Sequence, residues 1–280
     1  MKSHCLKKLL HPKTVLTKVC ITLLAIMIAI AFFVVRLYKR KPLTLVPDAA
    51  YLWPVLSQAE GIWKYEKLAT GHAYYLYLPE TLRQDKDNED AHIPLIVAFH
   101  GSYDTGSAVS KMGRRFTEPE FQKRIHPMGA AVLVPLGRIG YFSDPHSMNL
   151  LIQNIILKNK CIDKANIIGY GFSQGAKYVV ELACYEPRLF KGVISGSGFY
   201  QITYRELLSV LPISFYSALS ENDRGIFEQG VKTGRLCGTW CRNSRYVQYP
   251  SRYHFWVELY DKTGRGEETM EDWLISVAQQ

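Results

Sequence analysis

The chain has 280 residues, 48% apolar and 21% charged, a balance that belongs to a globular protein and excludes a disordered or fibrous one. Its net charge of +9 does not mark a nucleic-acid-binding surface. Nine of the basic residues and no acid fall in residues 1–41, which leaves 25 basic and 25 acidic residues over 42–280.

The tail that holds the excess contains Val19 to Val35, an uninterrupted apolar run of 17 residues bracketed by Lys18 and Arg36. As a helix it would span roughly 25 Å, near the lower limit for a bilayer. The basic Arg-Leu-Tyr-Lys-Arg-Lys that follows is not a signal-peptidase site, so the run predicts an uncleaved transmembrane signal anchor. Five lysines before it against four basic residues after it favour an inside N-terminus, with the body on the periplasmic or luminal side. The predicted organisation is a basic tail over 1–18, the anchor over 19–35, a linker over 36–68 and one folded domain over 69–280.

Within that domain, His72 to Pro79 is short and aromatic and predicts a strand. Leu82 to His92 is charged and predicts an exposed loop. Pro94 to Phe99, Ala130 to Val134, Ala165 to Tyr170 and Pro212 to Leu219 are apolar runs of strand length, with a weaker one at Gly192 to Ser195. Such runs are expected of strands buried on both faces. Helical patterns lie between them at His146 to Lys158 and Gln174 to Cys184, and Met270 to Val277 closes the chain. Strands alternating with helices predict an α/β fold with a mostly parallel sheet covered on both sides.

One strand runs directly into Gly171-Phe172-Ser173-Gln174-Gly175, and a helical segment follows at once. This is a G-x-S-x-G nucleophile elbow in its required context, a sharp turn that lifts a serine hydroxyl clear of the sheet. A serine needs a base. Of eight histidines only His254 follows Ser173, in the chain order that such a site demands. The acid is expected after the strand ending at Leu219, where Asp223 is the first choice and Glu221 its rival; an acid there would orient the imidazole. His100-Gly101-Ser102 follows the strand ending at Phe99. The backbone N–H groups of Ser102 and Gln174 are the candidates for an oxyanion hole, with His100 tying down the loop.

These residues carry a resemblance. Tyr74 to Leu82, Leu95 to Gly106, Val132 to Gly137 and the elbow block Cys161 to Gly198 look like the polyhydroxybutyrate depolymerase and feruloyl-esterase-like branch of the α/β-hydrolases. The hexapeptide Gly171 to Ala176 also resembles the phospholipase/carboxylesterase and acyl-protein thioesterase branch. Tyr253 stands before His254 where the family usually has glycine, and Ala176 stands where a second glycine is common. The resemblance implies hydrolysis of small or polymeric carboxylic esters through an acyl-serine, with no metal or organic cofactor. An acyl-protein or lipid thioesterase and a catalytically silent binding protein are the alternatives. For an exported domain, the elbow geometry predicts a Cys161–Cys184 disulfide, and Cys237 and Cys241 a second, small loop.

Overall fold

The computed structural model describes residues 21–30, 63–68, 72–85, 87–102, 104, 108–137, 141–249, 254 and 269–280. The chain divides into two units, 1–44 and 45–280. In the first, residues 21–30 form a helix with exposed side chains. Among the described residues no helix is long and apolar enough to cross a membrane. Residues 21–30 lie within the anchor expected over 19–35, and the remainder of that run lies outside the described residues.

Among its described residues the second unit has eight strands: β1 (Trp63–Lys67), β2 (Ala73–Tyr77), β3 (Ile93–Phe99), β4 (Ala131–Leu136), β5 (Ile162–Phe172), β6 (Gly192–Gly196), β7 (Ser214–Ser220) and β8 (Arg242–Tyr249). They form one sheet in the order β1-β2-β4-β3-β5-β6-β7-β8. The first two pairings are antiparallel and all the others parallel. The helices are α1 (Glu80–Arg83), α2 (Pro119–Ile125), α3 (Pro145–Lys158), α4 (Gln174–Tyr185), α5 (Tyr204–Val210), α6 (Arg224–Trp240) and α7 (Met270–Ala278).

Successive side chains of β3 face opposite ways, yet all seven residues are buried. Leu95, Val97 and Phe99 join a core shared with α3, α4, α5 and the end of α6. Ile96 and Ala98 join a second core that includes Met112, Phe116, Phe121 and the apolar face of α7. Burial on both faces is why these strands read as continuous apolar runs.

Several expectations are corrected. Trp63–Lys67 is a strand paired with β2, so the end of the segment assigned to a linker over 36–68 belongs to the sheet; its earlier residues lie outside the described ones. The expected loop over 82–92 instead contains the end of α1 and a 3-10 turn at Glu89–Ala91, with Leu82 and Ala91 buried. The four body cysteines are free thiols. Cys161 lies at the β3 side of β5, where its carbonyl accepts from Ile93 N–H at 2.9 Å. Cys184 lies near the end of α4, and the expected bridge to Cys161 is not formed. Cys237 and Cys241 are one helical turn apart, with Cys241 N–H donating to Cys237 O at 3.0 Å, and the small loop expected between them is not closed by a disulfide.

Candidate active site

The chain crosses from β3 to β4 on one side and returns through α3 to β5 on the other. The carboxyl ends of β3 and β5 therefore border the switch point where open α/β sheets place their ligands. Ser173 sits there, between β5 and α4, with φ of 56°. A left-handed backbone is costly for a residue with a side chain and is held only by its surroundings. Here Ser173 N–H donates to Gly196 O at 2.9 Å and Lys177 N–H to Ser173 O at 3.1 Å.

The turn also demands close approach. A Cβ on Gly175 would stand 2.2 Å from the Phe99 carbonyl oxygen, and one on Gly171 would stand 2.2 Å from the Gly175 oxygen. Neither neighbour is a flexible side chain. Gly175→Ala is expected to destabilise the fold by about 3 kcal/mol or more, read as a lowered urea midpoint.

His254 reaches this turn from a distant part of the chain. Its Nε2 lies 2.8 Å from Ser173 Oγ and its Nδ1 lies 2.6 Å from Asp223 Oδ2. With the proton on Nδ1, the imidazole donates to the carboxylate and accepts from the serine hydroxyl. Its ring packs on Phe172 at 5.2 Å between centroids. The Asp223 side chain is 15% exposed and that of His254 40%, so the acid is the sheltered member of the pair. Asp223 occupies the N-cap position of α6, its side chain making no capping bond, and is fixed by its N–H to Ser220 O at 3.1 Å. The rival Glu221 is exposed and spends its backbone N–H on Tyr249 O.

The two candidate oxyanion donors come from adjacent strand ends. Gln174 is the first residue of α4, whose opening N–H groups have no acceptor inside the helix. Gly101, next to Ser102, approaches so closely that a Cβ on it would lie 3.4 Å from Ser173 Cβ. His100 holds that loop. Its Nδ1–H donates to Gly101 O at 2.7 Å and its Nε2 accepts from Gly137 N–H at 2.9 Å. Burial holds the imidazole down at about 4, against the opposing pull of the Gly101 carbonyl and Asp104.

That depression has a sign. The unfolded chain takes up the His100 proton near pH 6.5 and the folded chain only near 4, so the stabilisation is complete above 6.5 and is lost as pH falls toward 4. The loss amounts to about 3 kcal/mol. His100→Gln is expected to flatten this part of the stability–pH curve, measured by urea titrations between the two values. An unchanged slope would contradict it.

In the sequence Gln174 stands out only for its backbone N–H. Its side chain is also engaged, donating from Nε2 to Phe142 O at 2.8 Å while Oε1 accepts from Phe142 N–H at 3.3 Å. Phe142 stacks on Tyr178, and Tyr178 Oη donates to Asp144 O at 2.8 Å. The loop after β4 is thereby fastened to the elbow helix, a pairing no local pattern announces. A cavity of about 530 Å³ lies elsewhere, among Trp63, Glu66, Tyr74, Leu76, Ile155 and Lys158, and touches none of Ser173, Asp223 and His254.

Among solved structures, the chain resembles a thermostable esterase with a TM-score of 0.54 and 20% identity, covering 77% of this chain and 59% of that one. The fold is that of the α/β-hydrolases. A ferulic acid esterase matches with a TM-score of 0.54 and 13% identity over 70% of this chain and 90% of its own. The thermophilic carboxylesterase EstE1, cloned from a metagenomic library, matches with a TM-score of 0.54 and 12% identity over 78% and 87%. The chain thus spans 59% of the length of the first of these. At these identities the likeness is one of fold. No family model and no curated protein sequence matches the chain.

Proposed function

We propose that the protein is a serine esterase that hydrolyses carboxylic esters through an acyl-serine, with Ser173, His254 and Asp223 as its triad. The observation that carries the reading is the unbroken hydrogen-bond relay from Ser173 Oγ through His254 to Asp223. In it, His254 takes the Ser173 proton as the hydroxyl attacks the ester carbonyl. The N–H groups of Ser102 and Gln174 stabilise the oxyanion, aided by the positive end of α4. His254⁺ protonates the departing alcohol, Asp223 stabilises the imidazolium, and a water activated by His254 releases the acid.

The hexapeptide Gly171 to Ala176 favours a second reading, hydrolysis of thioesters at a membrane. Acyl esters, acyl thioesters and acyl amides of the same acid, assayed with the same preparation, separate the two. The first reading expects the highest kcat/KM on the ester; a thioester preference would transfer the assignment to the second.

The proposed location is a membrane, through residues 19–35, with the body on the periplasmic or luminal side. The apolar run, its basic flanks and the neutral body support this.

A further inference from the structure

The second unit distributes its exposed apolar side chains unevenly. Seven large hydrophobic residues of that unit are exposed among the described residues, and six lie on α3, α4, α5 and α6: Leu150, Leu157, Tyr185, Tyr204, Leu208 and Trp240. They range from 48% exposed at Tyr185 to 77% at Leu157. The seventh, Tyr141, is in the loop after β4. None lies on α2 or α7, which cover the other face of the sheet.

These side chains belong to one layer. Leu150 and Leu157 stand seven residues apart, and Tyr204 and Leu208 four apart, so each pair shares a helix face. His146 Nδ1 meets Tyr185 Oη at 3.0 Å, linking α3 to the end of α4. The Lys232 ammonium lies 5.8 Å from the centre of the Tyr204 ring, linking α6 to α5. Arg242 N–H donates to Leu211 O at 2.9 Å, which brings the end of α5 against the end of α6, beside Trp240.

The same four helices carry six basic residues and three acidic ones, although the body as a whole is neutral. Two of the acids and two of the bases are occupied: Glu181 pairs with Lys177 at 3.2 Å, Lys158 meets Glu66 of β1 at 3.5 Å, and Glu206 accepts from Tyr200 and caps α5. Lys232 and Arg235 are exposed.

We infer that the outer surface of α3–α6 rests on a lipid bilayer bearing anionic headgroups. A stable protein partner needs a contiguous apolar centre. Here single leucines and aromatics are spread over four helices with basic residues between them. Tyrosine and tryptophan settle at the headgroup level, and lysine and arginine near them are drawn to anionic lipid. Leucines entering the acyl boundary add apolar burial, and stable attachment takes two such signals together. The inference stands on the folded unit and deepens the membrane reading above without requiring residues 19–35 to span the bilayer.

The test is amide hydrogen exchange of the full chain with vesicles of phosphatidylcholine alone or phosphatidylcholine with phosphatidylserine, and a parallel sedimentation of each mixture. Exchange in α5 and at the end of α6 is expected to slow several-fold with the anionic vesicles, while α2 and α7 are unaffected. Lys232→Glu with Arg235→Glu is expected to remove the protection and leave ester hydrolysis in solution unchanged. Equal exchange in α5 and α6 on both vesicles would overturn the inference. So would protection that develops without vesicles as the protein is concentrated, which would assign the face to a second copy of the chain. Failure of the N-terminal anchor reads out separately, as a chain that does not sediment with neutral vesicles.

Discussion

Replacing Ser173 by alanine is expected to lower kcat by about six orders of magnitude, with His254→Ala costing about as much and the double variant little more. In the proposed triad the three groups act as one unit, because the serine hydroxyl is a poor nucleophile until Nε2, at 2.8 Å, takes its proton. Once either partner is gone, the other has nothing left to contribute, so the losses do not add. Asp223→Asn is expected to cost about ten-thousand-fold, since the amide keeps the shape of the contact but reverses its hydrogen-bond demand on Nδ1. Glu221→Gln should change little, because that side chain is exposed and Asp223 is the one hydrogen-bonded to the imidazole. Steady-state hydrolysis of one activated ester by these variants checks the series. Equal losses at 221 and 223 would contradict the assignment of the acid.

Glu271→Ala is expected to destabilise the fold by about 3 kcal/mol. The Glu271 side chain is only 3% exposed, and Arg115 donates to it from Nη2 at 2.9 Å and from Nε at 3.0 Å. Arg124 adds a contact at 2.6 Å. These bonds tie α7 to α2 and to the turn after Val109–Gly113. Truncation leaves the partly buried Arg115 with one carboxylate partner fewer, its contact with Glu118 remaining. The expected readout is a lower urea midpoint with an unchanged slope. Glu271→Leu combined with Arg115→Met should recover part of the loss, because a well-packed apolar pair replaces a buried ionic one at little cost. An unmoved midpoint in Glu271→Ala would show that the other α7 contacts suffice, among them Trp273 Nε1 to Asn243 O and Asn166 Nδ2 to Ala278 O.

The strands that proved legible in the sequence are those buried on both faces. β3, β4 and β7 announce themselves as apolar runs, and β5 does so over its central part. Its first residues, Ile162 to Lys164, carry charge and hide the true start of the strand. The edge strands were not legible, since Trp-Lys-Tyr-Glu-Lys and Arg-Asn-Ser-Arg-Tyr-Val-Gln-Tyr are half exposed and mix charge with aromatics.

Helix α6 is not legible in the sequence either, and its glycines are the reason. Gly230, Gly234 and Gly238 recur every four residues, a pattern that argues against a helix by propensity. In the fold they form one stripe against Leu219 and Tyr246, where a Cβ on Gly234 would stand 2.6 Å from the Tyr246 ring. Close packing on β7 and β8 outweighs the local preference.

The candidate site was legible where chemistry constrains chain order. Ser173 follows from the elbow, and His254 is the only histidine after it. The choice between Asp223 and Glu221 was not, because two carboxylates two residues apart in a turn differ only in where the backbone aims them. The second role of Gln174, through its side chain on Phe142, depends on contacts across 32 residues of sequence and leaves no local trace.

The most direct test of the central claim is labelling of the full chain by a fluorophosphonate, followed by identification of the modified peptide. The account predicts one adduct, on Ser173, formed rapidly in the wild type, absent in Ser173→Ala and strongly slowed in His254→Ala. A folded wild-type chain that stays unlabelled, or is labelled equally well without His254, would contradict it and make a non-catalytic binding role the leading reading of the same fold.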